Sequence, residues 1–178
     1  GFRRARELGF SWALAMDGDG QHAPHDIPRF FQRANKTAAA LVVGDRMHSA
    51  EKIPWLRRRV NVWMSSRISE LAGQRVPDSQ CGFRLVNLAA WQAMAFCTTR
   101  FEYESEMFLR FGRAGFRIES VPVEVIYKHE RSKIRPLLDS VRWLRWYWNV
   151  RRAANAPASK TFQLPAPAPL RVDPRNHA

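Results

Sequence analysis

The spacing of apolar positions predicts strands alternating with helices. Residues 2–8 have helical spacing, and residues 11–16 form an apolar run of strand length. Over 25–34, Ile27, Phe30, Phe31 and Ala34 share one helical face, with Asp26 as N-cap and Pro28 in the first turn. Residues 39–43 read as a short buried strand ending at Gly44. Between 57 and 72, Val60, Trp63, Met64, Ile68 and Leu71 recur at i, i+3, i+4, and Gly73 marks the stop. Helices are expected from about residue 88 to 95, after Asn87, and from about 104 to 114, before Gly115. Val121, Val123 and Val125 alternate as a half-buried strand, which Pro122 assigns to a sheet edge. Residues 134–152 form a second basic amphipathic helix, and 153–178, rich in Ala and Pro without a period, reads as a disordered tail. No internal repeat is visible. The first ten residues read as the back of a helix followed by a strand, with no initiator Met, so the chain is expected to begin inside a domain.

Charge changes the picture more than size does. Among 178 residues, 29 are basic and 16 acidic, a formal net charge of +13. That excess points to anionic partners: nucleotide phosphates, an anionic membrane surface or nucleic acid. Most of the basic residues are Arg, which suits bidentate phosphate contact. A compositional bias of the coding sequence is the plain alternative. Cys81 and Cys97 are the only cysteines and lack zinc spacing, so they define neither a disulfide framework nor a metal site. A reducing, cytoplasmic environment is the simpler expectation. No apolar run reaches the roughly 18 residues of a membrane span.

The candidate chemistry starts at Asp17-Gly18-Asp19-Gly20-Gln21-His22, directly after the first strand. In an extended strand, Asp17 and Asp19 would point the same way about 6.6 Å apart. Gly18 and Gly20 let the chain bend so that both carboxylates turn toward one cation or its waters. Hard oxygen ligands suit Mg²⁺ or Mn²⁺, which bind through one or two carboxylates plus substrate phosphates. A solvated Asp-Gly turn is the alternative reading. Asp78-Ser79-Gln80-Cys81-Gly82-Phe83-Arg84 presents an acid and a guanidinium to one pocket, or else forms a buried structural pair. Residues 101–106 open a helix with Glu102, Glu104 and Glu106, which also favour the helix dipole by about 0.3–1 kcal/mol each. Arg131-Ser132-Lys133 closes a basic loop suited to phosphate, or to water alone.

In this order the motifs resemble the second half of a family 2 glycosyltransferase, close to dolichyl-phosphate mannose synthases and bacterial polyprenyl-phosphate glycosyltransferases. The resemblance covers about residues 1–150. It implies an α/β, GT-A-like mixed sheet with flanking helices. The expected organisation is a partial catalytic domain over 1–133, an interfacial helix over 134–152, and the tail. The motif at Asp17 and Asp19 would bind Mg²⁺ or Mn²⁺ and a nucleotide diphosphate. Asp19 would be the direct ligand and Asp17 would lie beside it, near the ribose or the metal. Gln21 would approach sugar or phosphate, and His22 is a further candidate for a direct role. Val42-Val43-Gly44-Asp45-Arg46 is similar to the family's strand ending in Gly-Ser-Arg, with Arg46 at the rim meeting phosphate and Asp45 replacing Ser. Asp78 would be the base or the acceptor-positioning group, and Arg84 would hold a phosphate or pair with Asp78. Either Glu104 or Glu106 would stand near the sugar. Arg131, Ser132 and Lys133 would close over the diphosphate.

The expected reaction is inverting transfer of a hexose from a nucleotide-diphosphate sugar to a polyprenyl phosphate. Residues 131–152 carry seven Arg or Lys and one acid, Asp139. Leu137, Val141, Leu144 and Trp148 form one stripe, flanked by Trp143, Trp146 and Tyr147. Such a helix suits a membrane interface, so the chain is expected to be peripheral on the inner face of the cell membrane. A glycan or glycolipid hydroxyl is the alternative acceptor. A basic nucleic-acid-binding module is the alternative from another class, but the acidic motifs sit badly against a phosphate backbone and no helix-turn-helix, zinc-finger or RNA-stacking signature is present. In the family, an N-terminal part recognises base and ribose. That part does not precede Asp17 here, so this piece on its own is expected to bind nucleotide-sugar poorly.

Overall fold

The computed structural model describes residues 1–48, 53–98, 102–124, 126 and 136–154. Helix α1 spans Phe2–Glu7 and strand β1 Trp12–Ala15. A 3₁₀ turn, Pro24–Asp26, leads into α2, Ile27–Thr37, followed by β2, Leu41–Asp45. Helix α3 runs over Trp55–Ala72, β3 over Arg84–Asn87 and α4 over Leu88–Gln92. Helix α5 covers Glu102–Arg113, β4 Ile118–Pro122 and α6 Pro136–Ala154. The expected tail, 155–178, lies outside the described residues.

The four strands form one mixed sheet in the order β1-β3-β2-β4. Strand β3 is antiparallel to β1 and β2, and β4 is parallel to β2. Three strands therefore run the same way, and their carboxyl ends share one edge. The α/β architecture with a mixed sheet and flanking helices agrees with the expected fold class. Phe83 packs on Phe30 of α2, whereas Arg84 lies over Phe108 of α5. Successive side chains point to opposite faces of a strand, so α2 and α5 cover opposite faces of the sheet. Leu41, Val42, Val43, Leu85 and Val86 are buried between them. Each such side chain contributes about 1.5–3 kcal/mol by leaving water. Gly112 lets α5 approach α3, since a Cβ there would meet Ala72 Cα at 2.8 Å.

Four local expectations are corrected. Asp26 makes no side-chain cap to α2; its buried carboxylate accepts from Arg29 at 2.6 Å and from the Glu124 amide at 3.3 Å. Phe31 is exposed, because the sheet takes Phe30 and Ala34 and leaves the next position to solvent. Helix α3 buries Met64 and Ile68, but its first half projects past the core, so Val60 and Trp63 are exposed. The last strand ends at Pro122 and leaves Val123 out, because it pairs with β2 from Ile118 to Pro122 and β2 ends at Asp45; Val125 lies outside the described residues. It is an edge strand, as Pro122 implied.

Candidate active site

The sheet register brings the motifs to one edge. Arg84 lies opposite both Ala15 and Val43, and Asp45 lies opposite Pro122. The segments leaving β1, β2 and β4, and the one entering β3, therefore meet at the carboxyl ends of three strands. Ligands of open α/β sheets bind at such an edge.

Beyond β1 the acidic turn is organised by its own side chains. Asp19 Oδ1 accepts from the Gln21 amide at 3.0 Å, and Gly20 takes φ +72° to let the turn close. Asp17 Oδ2 lies 3.4 Å from His22 Nε2. The Asp17 carboxylate rests on the Gly82 backbone: a Cβ added there would sit 2.6 Å from Oδ1 and 2.7 Å from Cγ. The acidic turn and the Cys81-Gly82 turn therefore share one cleft. The hydrogen bond from His22 outweighs burial and holds the Asp17 carboxyl below its ordinary value, with smaller help from the charges of His22, Arg46 and Arg84.

Asp78 and Arg46 meet across the same edge. Arg46 donates from Nε at 2.6 Å and from its second terminal nitrogen at 2.9 Å to the two Asp78 oxygens. Asp78 is fully buried and also accepts from the Arg46 and Gln80 amides. The Asp78 partner is thus Arg46 and not Arg84. Arg84 donates to the Cys81 and Ser79 carbonyls at 2.7 and 3.0 Å and to Glu104 at 2.8 Å. Glu104 is part exposed beside Arg84. Glu106 points elsewhere: it is buried and accepts from the Cys97 and Thr98 amides, the Thr98 hydroxyl and Arg110. Burial pushes its carboxyl up, and those bonds together bring it below the ordinary value. Asp45 accepts from the Met47 amide at 2.9 Å, and burial raises its carboxyl.

The chain after β4 returns to the acidic turn. The Ile126 amide donates to the Gln21 carbonyl at 3.0 Å, and Glu124 is tied to Asp26. Residue 126 therefore leaves from beside Gln21. Arg131, Ser132 and Lys133 lie outside the described residues. Sequence reasoning missed this tie and the Arg46–Asp78 pair. The paired residues are 98 and 32 positions apart, and no local pattern marks them.

Asp17 and Asp19 are both exposed enough to reach a cation. Among the described residues, no group of three or more His, Cys, Asp or Glu side chains could hold a metal alone. Asp17, on the Gly82 turn, and the exposed Asp19 two positions on are the residues that could meet a cation whose other ligands come from a diphosphate.

No protein-family model matches the chain. It is 31% identical over 132 residues to UDP-N-acetylglucosamine--dolichyl-phosphate N-acetylglucosaminyltransferase of Methanococcus voltae, covering 71% of this chain and 53% of that one. It is 27% identical over 131 residues to undecaprenyl-phosphate mannosyltransferase of Micrococcus luteus, covering 71% and 54%. Over 138 residues it is 22% identical to the low-salt glycan biosynthesis hexosyltransferase Agl6 of Haloferax volcanii, covering 75% and 33%. The chain thus spans about half the length of the first two relatives. All three are named as glycosyltransferases, and a glycosyltransferase family is what the likeness supports for this chain.

Proposed function

We propose that the chain is part of an inverting glycosyltransferase that moves a hexose from a nucleotide-diphosphate sugar to a polyprenyl phosphate at a membrane surface. The observation that carries this reading is the meeting of Asp17, Arg46–Asp78, the Gly82 turn and Arg84–Glu104 at one sheet edge. Asp17 and Asp19 would hold Mg²⁺ or Mn²⁺, which supplies charge neutralisation for the diphosphate. Arg46, oriented by Asp78, and the basic residues 131–133 would add charge-assisted donors to the departing phosphates. An acceptor phosphate oxygen forms the new bond to the anomeric carbon as the bond to the diphosphate breaks, and the nucleotide diphosphate leaves.

The candidate bases favour a phosphate acceptor over a hydroxyl. Asp78 is held by Arg46, Glu104 by Arg84 and Glu106 by Arg110. A hydroxyl needs a general base to take its proton, and a carboxylate held by a guanidinium is a weaker one. A phosphate monoester, with its second pKa near about 6, is already ionised at neutral pH.

The helices beyond the site support a lipid-borne acceptor. In α6, Trp143 and Tyr147 pack inward, and Trp143 donates to Ser105 at 2.9 Å. Val141, Leu144 and Trp148 of the sequence stripe face outward. Helix α3 meets α6 through Trp63 and Trp143, ring centroids 5.5 Å apart, and exposes Trp55, Leu56, Val62 and Trp63. Exposed arginines 57–59, 142 and 145 accompany them. Apolar and aromatic side chains among arginines suit an anionic interface, which brings the site to the headgroup layer. Among the described residues, no helix is long and apolar enough to cross a membrane.

The test expresses the chain from its full coding frame and incubates it with radiolabelled nucleotide-sugars and vesicles carrying polyprenyl phosphate. Label is expected in an acid-labile, organic-soluble product, and Asp19→Ala should abolish it. Label in an acid-stable glycan instead would assign the hydroxyl acceptor.

A further inference from the structure

His22 is placed unlike an ordinary surface histidine in a loop. Its side chain is only 4% exposed, although it sits in the turn that carries two exposed acids. The ring rests on Phe83 at 5.0 Å, and Phe83 rests on Phe30 of α2 at 4.4 Å. Nε2 faces Asp17 Oδ2 at 3.4 Å. Nδ1 is buried and has no partner among the described residues.

These facts assign the ring's chemistry. An ionised carboxylate only accepts, so Nε2 carries the proton that faces Asp17. Nε2 is then committed to Asp17, and Nδ1 is turned into the protein, so neither nitrogen is free to hold a cation or a substrate atom. The unpartnered Nδ1 also weakens the fold, since a buried polar nitrogen has lost its water without gaining a hydrogen-bond partner. A phenyl ring would pack on Phe83 without that penalty. The imidazole is therefore not explained by packing. What it adds is a donor for Asp17, whose other side is closed by the Gly82 backbone.

We propose that His22 is a positioning residue: its Nε2–H and the Gly82 backbone clamp the Asp17 carboxylate from two sides, and the buried Phe83–Phe30 contact sets where that clamp stands. The proposal rests on the divalent-cation reading of Asp17 and Asp19. It differs from a direct role for His22, because the cation would meet Asp17 and not the ring. Removing a partner that orients a metal-bound side chain typically weakens metal affinity about 10–100-fold.

The experiment titrates the chain with Mn²⁺, without and with inorganic pyrophosphate, and follows protein-bound Mn²⁺ by water-proton relaxation enhancement. The set comprises the wild type, His22→Phe, His22→Gln and Asp17→Asn, each with a thermal melt. His22→Phe keeps the packing and removes the donor; it should melt at or above the wild-type temperature and bind Mn²⁺ about tenfold more weakly. His22→Gln, which restores an amide donor, should recover most of the loss. Wild-type affinity in His22→Phe, with binding lost in Asp17→Asn, overturns the positioning role and leaves the cation site standing. Absence of Mn²⁺ binding by the wild type both without and with pyrophosphate removes the cation reading and this inference with it.

Discussion

At Gly82 a missing side chain decides the shape of the site. The Asp17 carboxylate occupies the space a Cβ would need. The obstructing atoms are the end of a short, half-exposed side chain, so Gly82→Ala should swing Asp17 away without distorting the backbone. Stability is expected to change by less than about 1 kcal/mol, while Mn²⁺ affinity falls about tenfold or more. Unfolding curves and a Mn²⁺ titration of the same preparation separate the two effects. Neighbouring Cys81 is buried, which pushes its thiol up to about 11, so it belongs to the packing of this turn and not to its chemistry. The motif from Asp78 to Arg84 was recognisable as one unit in the sequence. Its internal pairing was not: Asp78 and Arg84, six positions apart, suggested each other, whereas folding gave Asp78 to Arg46 and Arg84 to Glu104.

Among the elements, α5 shows how one helix divides its carboxylates. Glu102 and Glu104 lie in the first turn, where they favour the helix dipole, and Glu104 also meets Arg84. Glu106, on the buried side, anchors residues 97 and 98. Its depressed folded pKa gives a signed prediction. The contribution is fully present above the ordinary value of 4.5 and is lost as pH falls through the lower folded value. Glu106→Gln should therefore cost about 2–3 kcal/mol at pH 7. The difference between variant and wild type, read from urea unfolding, should shrink toward zero as the pH drops below 4.5. Strand β3 shows the opposite limit of legibility. It has four residues, begins with a charged Arg and ends with Asn, so no period of two is visible. It forms because β1 and β2 offer hydrogen-bond partners on both sides.

For the whole molecule, the outward faces of α3 and α6 carry the testable consequence. Val141 and Trp148 are 63% and 53% exposed, so changing both to Glu should leave the melting temperature near that of the wild type. Sedimentation with vesicles rich in anionic lipid should show binding at least tenfold weaker. Wild-type binding should fall as salt rises. Equal binding by variant and wild type at low salt would remove these residues from the interface.

What the sequence determined by itself was local. Apolar periodicity located most of the elements within a few residues, and glycines and carboxylates in short motifs marked the acidic turn and the Gly82 turn. These are readable because helices, strands and turns are set by neighbours a few positions apart. The tertiary structure alone decided that Trp143 and Tyr147 anchor α6, which arginine holds Asp78, and that Ile126 returns to Gln21. Those choices depend on strand order and on buried charges finding partners across long stretches of chain. A buried carboxylate takes whichever guanidinium the fold delivers, and sequence spacing carries no record of that delivery.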